Sequence, residues 1–185
     1  MQKTYLCIDL KSFYAYVECV ELGLDPFEVN LVVADPTRGG GAITLATTPA
    51  IKKLGVSSRG RIFEIDPKIE YMITPPRMHL YMEYSCKVYK VFLEFIAKED
   101  IHVYSIDESF LDVTSYLKLY QVSAKNLAKK ILDRTYEKTG LTATVGIGTN
   151  LYLAKIAMDI SAKHNADRMA YLNEVVLRQE KGLIK

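Results

Sequence analysis

Ser105-Ile106-Asp107-Glu108-Ser109-Phe110 is the stretch on which the fold turns. It sets two adjacent carboxylates between two strand-forming runs, residues 101–106 and 109–113. In an extended strand, neighbouring side chains point to opposite faces, so Asp107 and Glu108 would diverge. At the tip of a tight hairpin that alternation breaks, and both can converge. A third acid, Asp9, ends the apolar run 5–8. Three carboxylates at a sheet edge repel one another unless a cation neutralises them, and hard divalent cations take oxygen ligands of this kind. Metals held so are the machinery of phosphoryl and nucleotidyl transfer.

Outward from the hairpin, the periodicity predicts a long helix over 77–97 with an apolar stripe of Leu80, Tyr84, Val88, Val91, Phe92 and Phe95. Ser123 is placed to cap a helix ending at Gly140, residues 142–147 read as a strand, and Asn150 caps a helix reaching about residue 163. Residues 169–172 read as a last short strand, followed by a polar tail. Towards the N-terminus, Ser12 is an N-cap candidate for a helix over 13–22 that Gly23 stops. Residues 30–34 and 42–47 read as strands around a Gly-rich loop, and Pro49 opens a short helix. This order predicts an α+β sandwich: a palm-type antiparallel sheet with helices packed on one face, plus a small inserted α/β lobe. The expected domains are 1–23 with 77–172, the inserted lobe 24–76, and a tail of unknown role, 173–185.

Bulk properties narrow the classes. The chain has 185 residues, 49% of them hydrophobic, enough for a real core and too apolar for disorder. Lys and Arg number 24 against 22 acids, so any affinity for nucleic acid comes from a local patch rather than a global field. Cys7, Cys19 and Cys86 match no metal-ligand spacing and read as buried, reduced thiols. No signal peptide or bilayer-length apolar run is visible, which points to a soluble, cytoplasmic protein with no membrane partner.

Three segments together resemble a known family. They are Asp9-Leu10-Lys11-Ser12-Phe13-Tyr14-Ala15-Tyr16-Val17-Glu18, then Tyr104-Ser105-Ile106-Asp107-Glu108-Ser109-Phe110-Leu111-Asp112, then Val145-Gly146-Ile147-Gly148-Thr149-Asn150 with Leu153-Ala154-Lys155. In order and spacing they look like the palm signatures of Y-family, lesion-bypass DNA polymerases, most like the UmuC-like branch. The resemblance covers roughly residues 1–170.

It implies that Asp9, Asp107 and Glu108 hold two Mg²⁺ ions about 3.5–4 Å apart, with the Leu10 carbonyl completing one shell. The backbone N–H groups of Ser12, Phe13 and Tyr14 would meet the triphosphate at a helix N-terminus. Tyr14 would be the steric gate against a ribose 2′-hydroxyl, and Lys52 and Lys163 would contact phosphates. The implied partners are a deoxynucleoside triphosphate, primer–template DNA, and replication or repair proteins. Without the motifs the same residues read differently. Asp9 is a strand-end turn former, Asp107-Glu108 a solvated tip and Tyr14 a core aromatic. Lys52 is then a solvated helix charge, and Lys155, Asp159 and Lys163 form an i, i+4, i+8 ion-pair ladder.

Several features depart from the family pattern. Lys11 stands where an acid or Asn is frequent, Asn150-Leu151 where Asn-Lys is frequent, and a Tyr frequent before the basic residue of the small inserted helix is replaced near Pro49. The thumb and DNA-gripping little-finger domains of the family have no counterpart in these residues, which implies weak or no synthesis by the chain alone. Two alternatives stay open: a truncated, non-catalytic homologue acting through protein contacts, and a different two-metal palm enzyme such as a nucleotidyl cyclase.

Overall fold

Strand β1 (Tyr5–Leu10) is buried along Leu6-Cys7-Ile8 rather than on alternate residues. A strand with no polar alternation must be covered on both faces, and that requirement organises the sheet around it. In the computed structural model, which describes residues 2–174 and 176, β1 pairs antiparallel with β6 (Glu108–Asp112) on one side and with β7 (Ala143–Gly148) on the other. β5 (Ile101–Val103) adds antiparallel beyond β6, and β8 (Met169–Leu172) adds parallel beyond β7. The order is β5-β6-β1-β7-β8. The expected antiparallel sheet is therefore mixed, because the long return through a helix delivers β8 in the same direction as β7.

Helices lie on both faces, not on one. Cys7 and Phe110 pack against Ala154 and Met158, which belong to α6 (Leu151–Ile156) and to the π-helical turn Ala157–Ala162 that continues it. Ile8, Leu10 and Ser109, pointing the other way, line a cleft with Val88 and Phe92 of α3 (Met78–Leu93). Each fully buried Leu or Ile of β1 contributes about 1.5–3 kcal/mol. Gly146 and Gly148 let α6 approach. A Cβ on either would overlap backbone atoms of the helix, at Ala154 and Met158 for Gly146 and at Ala154 for Gly148.

Local signals mostly hold. Ser123 Oγ accepts from the N–H of Asn126 at the start of α5 (Ala124–Thr139), and left-handed Gly140 ends it. Asn150 Oδ1 caps α6 through the N–H of Leu153. The helix over 77–97 is shorter than expected, and its buried stripe is Tyr81, Tyr84, Val88, Val91 and Phe92, with Tyr81 replacing Leu80 and Ile96 buried just beyond the helix end. A further short helix, α4 (Thr114–Leu119), follows β6.

By internal contacts the chain divides into two compact units, Met1–Leu10 with Ser85–Lys185, and Lys11–Tyr84. Sequence boundaries at 23/24 and 76/77 differ from these. α1 (Phe13–Leu22) packs with β2 (Leu31–Val33) and β3 (Ala46–Thr47), which assigns it to the second unit. There β2 pairs antiparallel with β3 and parallel with β4 (Met72–Thr74), and α2 (Pro49–Lys53) follows β3. The strand expected over 42–47 is reduced to Ala46–Thr47 plus one bridge, Ile43 to Arg61. The Gly-rich loop forms 3₁₀ turns over Pro36–Gly41, broken by a kink at Gly39 and capped by Asp35. Cys7 and Cys19 are buried as expected, but Cys86 is exposed. Among the described residues no helix is long and apolar enough to cross a membrane. Most of the expected tail, 173–185, lies outside the described residues.

Candidate active site

The register of β1 against β6 decides where the acids go. Asp9 lies directly opposite Glu108, so the two share a face of the sheet. Glu108 is the first residue of β6 rather than part of the hairpin tip. Its carbonyl accepts from the N–H groups of Tyr104 and Ser105, closing the turn before it. Asp107 is left in the turn, with its carbonyl accepting from Leu10 N–H at 2.9 Å and its carboxylate from Ser105 Oγ at 2.7 Å.

Two lysines from the α6 side neutralise this face. Lys155 Nζ lies 2.8 Å from Oε1 and 2.9 Å from Oε2 of Glu108, whose Oε1 also accepts from Cys7 Sγ at 3.2 Å. Lys163 Nζ lies 3.5 Å from Asp9 Oδ2. Asp159 joins the two lysines at 3.1 and 2.9 Å. The i, i+4, i+8 ladder read from the sequence is present, but its lysines also reach the carboxylates. The sequence places Lys155 in the Leu153-Ala154-Lys155 motif and in that ladder, but neither signal predicts its contact with Glu108.

Burial pushes the Asp9 carboxyl up to about 6; Lys163 pulls it down, Asp107 and Glu108 push it further up, and Lys155 opposes them. Burial, then the bond to Glu108, raises the Cys7 thiol well above its ordinary range. Burial disfavours charge on Lys155, yet its bonds to Glu108 and Asp159 outweigh that and raise its pKa. A buried carboxylate strained upward by neighbouring acids is the electrostatic setting that a divalent cation relieves, and the donor set is all hard oxygen. The residues therefore fit Mg²⁺ chemically. As placed, Glu108 turns to Lys155, and among the described residues no three acidic, His or Cys side chains surround a common point.

In the unit Lys11–Tyr84, α1 begins with Ser12 in the left-handed region, φ 47°. That conformation turns its side chain away from capping, contrary to expectation. Ser12 Oγ instead accepts from Lys52 Nζ at 2.8 Å. The structure thus brings the α2 lysine to the N-terminus of α1, where the first N–H groups lack intrahelical acceptors. Phe13 is buried, whereas Tyr14 is half-exposed. The Tyr14 ring stacks on Tyr81 with centroids 4.3 Å apart and planes 12° apart. Strand β1 ends at Leu10, so the alternation that would have put Lys11 on Asp9's face stops before it.

Comparison with known proteins places these features in context. Residues 8–159 match the impB/mucB/samB family. A Bacillus subtilis protein named for UV-damage repair, UvrX, is 39% identical over 172 residues, covering 91% of this chain and 39% of that protein. DNA polymerase IV 2 of the same organism is 35% identical over 183 residues, covering 97% of this chain and 43% of its own length. The chain therefore spans about two fifths of these curated relatives. Among solved structures, DinB from Sulfolobus solfataricus superposes with a TM-score of 0.78 at 27% identity, over 96% of this chain and 50% of that one.

Proposed function

The chain belongs to the impB/mucB/samB family, and from that premise we propose that it is the palm–fingers catalytic portion of a Y-family, lesion-bypass DNA polymerase. On this reading the unit built on β1, β6 and β7 acts as palm and the unit Lys11–Tyr84 as fingers. The reaction is attack of a primer 3′-hydroxyl on the α-phosphorus of a deoxynucleoside triphosphate, releasing pyrophosphate.

Asp9, the Leu10 carbonyl, Asp107 and Glu108 would hold two Mg²⁺ ions. When bound, these supply the lowered hydroxyl pKa and the charge neutralisation that the transfer needs. Asp9 is suited to the task because burial and its acidic neighbours make its charge costly without a cation. Glu108 serves once its carboxylate turns from Lys155. Lys163 neutralises charge beside Asp9 and is free to share its ammonium with a phosphate oxygen, as a point charge. Phe13 and Tyr14 present helix N-terminal N–H groups, and Ser12 with Lys52 adds a hydroxyl and a cation at the same helix end. Tyr14 offers a ring face to the sugar.

The observation that carries this reading is the cross-strand pairing of Asp9 with Glu108, one residue from Asp107. Primer extension on a short primed template in Mg²⁺ tests it, with Asp107→Ala in parallel. Addition of even one nucleotide by the wild type and none by the variant supports it. Equal residual activity in both sinks it.

One observation favours a second reading, a non-catalytic repair-associated module. A Bacillus subtilis DNA repair protein homolog, YozK, matches at 40% identity over 109 residues that make up 93% of its own length, so a relative of this kind ends near where the match does. Absence of extension together with absence of nucleotide binding by a folded chain would select that reading.

A further inference from the structure

A buried carboxylate with no part in the catalysis proposed above lies one helical turn below Tyr14. Glu18 is only 2% exposed. Tyr81 donates its hydroxyl to Glu18 Oε1 at 2.6 Å, while Arg77 donates Nε to Oε1 at 3.1 Å and Nη2 to Oε2 at 2.6 Å. Tyr81 is itself fully buried, and its ring is the one stacked under Tyr14. All four residues belong to the unit Lys11–Tyr84.

The geometry closes on itself. Tyr14 and Glu18 are i, i+4 on α1, so they share a helix face. Arg77 and Tyr81 are likewise four apart, at the start of α3. One helix supplies the ring to be placed and the anion that anchors its support; the other supplies the support and the cation that holds the anion. Sliding the Tyr81 ring under Tyr14 would stretch a short bond to a carboxylate, and turning the carboxylate would break a bidentate pair with Arg77. Phe13 also packs tilted against Tyr81, with ring centroids 6.3 Å apart. Packing alone does not need such an arrangement. The Arg77 side chain is 45% exposed, and an ion pair with a solvated partner brings little net stability, so what it supplies here is a defined position for one aromatic ring.

We propose that Glu18, acting through Tyr81 and Arg77, is a positioning residue that fixes the Tyr14 ring and thereby sets how strongly the protein discriminates a deoxyribose from a ribose. This rests on the reading of Tyr14 as the surface met by the sugar. Contact with a 2′-hydroxyl is a van der Waals contact and so is sensitive to small changes in ring position. A loosened Tyr14 therefore admits the ribonucleotide without harming the deoxyribonucleotide, whose sugar carries only a hydrogen there. The signature is selective: affinity for ribonucleotide rises while affinity for deoxyribonucleotide stays.

The test is calorimetric titration of the full chain with dATP and with ATP in Ca²⁺, which permits binding without turnover, on the wild type, Tyr14→Ala, Tyr81→Phe and Glu18→Gln. Tyr81→Phe keeps the ring and removes only the hydroxyl, so it folds even if Glu18→Gln does not. Fluorotyrosine incorporation gives a second readout, the Tyr14 resonance identified by its loss in Tyr14→Phe. We expect the wild type to favour dATP and Tyr14→Ala to abolish the preference. Tyr81→Phe and Glu18→Gln should lower it roughly threefold to tenfold through tighter ATP binding, less than the full worth of a charge-assisted hydrogen bond because only part of the loss reaches the Tyr14 ring. They should also shift or broaden the Tyr14 resonance. If Tyr14→Ala abolishes the preference but both other variants keep the wild-type value, the positioning role is overturned and the reading of Tyr14 stands. If Tyr14→Ala keeps the preference, or the wild type shows none, both fall together.

Discussion

Lys155 holds both carboxylate oxygens of Glu108, at 2.8 and 2.9 Å, across a sequence separation of 47 residues. The carboxylate is almost wholly buried, and a third of the lysine side chain is exposed. The ammonium thus supplies the positive charge on a face that gathers Asp9 and Glu108 at one register position.

Lys155→Met leaves Glu108 buried without its counter-charge. Stability should fall by about 2 kcal/mol, less than the cost of breaking a fully buried pair because Lys155 is partly solvated. Millimolar Mg²⁺ should recover much of the deficit if the carboxylates take up the ion. Urea midpoints with and without Mg²⁺ measure this, and a deficit indifferent to Mg²⁺ counts against the metal assignment.

Asp9 titrates near 6 in the folded protein against an ordinary 3.8. Between those values the folded state keeps a proton that the unfolded chain has released, so stability falls as pH rises through that window and the loss is complete above it. Asp9→Asn cannot ionise. Without divalent metal it should be more stable than the wild type at pH 7, by about 1–3 kcal/mol, and should match it near pH 4. Thermal melts across pH would show the difference opening with rising pH; a gap that widens towards acid would refute the burial argument.

Gly146→Ala drives a methyl into the backbone of Ala154 and Met158. Helix atoms cannot turn aside as a flexible side chain can, so the cost should exceed about 3 kcal/mol. Gly41→Ala, which meets nothing within 4 Å and needs no unusual φ, is the control and should change stability by less than about 1 kcal/mol. Equal denaturation midpoints for the two variants would remove the close approach of α6 as the reason for these glycines.

Lys52→Ala removes an exposed side chain whose tip reaches Ser12. The fold should survive, while affinity for dATP should drop roughly fivefold to tenfold, as for loss of one charge-assisted phosphate contact. Raising the salt concentration should narrow that gap, because the contact lies at the surface. Unchanged affinity at low salt would leave Lys52 as a solvated helix charge.

Much of this protein was determined by its sequence alone, because the signals concerned are local. Ser123 and Asn150 cap helices, Gly23 and Gly140 end them in the left-handed region, and apolar runs become strands, since each depends on residues within a few positions of one another. The motifs around Asp9, Asp107 and Gly146 likewise sufficed to indicate the family that residues 8–159 match. What the tertiary structure decided are the partners. Glu108 meets Lys155 rather than solvent, Tyr81 rather than Leu80 enters the core, Ser12 serves Lys52 rather than its own helix, and β8 joins the sheet parallel. Each depends on register and close approach between segments tens of residues apart, such as α6 seated on Gly146 and Gly148. No window along the chain contains both sides of such a contact, so only the folded packing could choose between the side chain's alternatives.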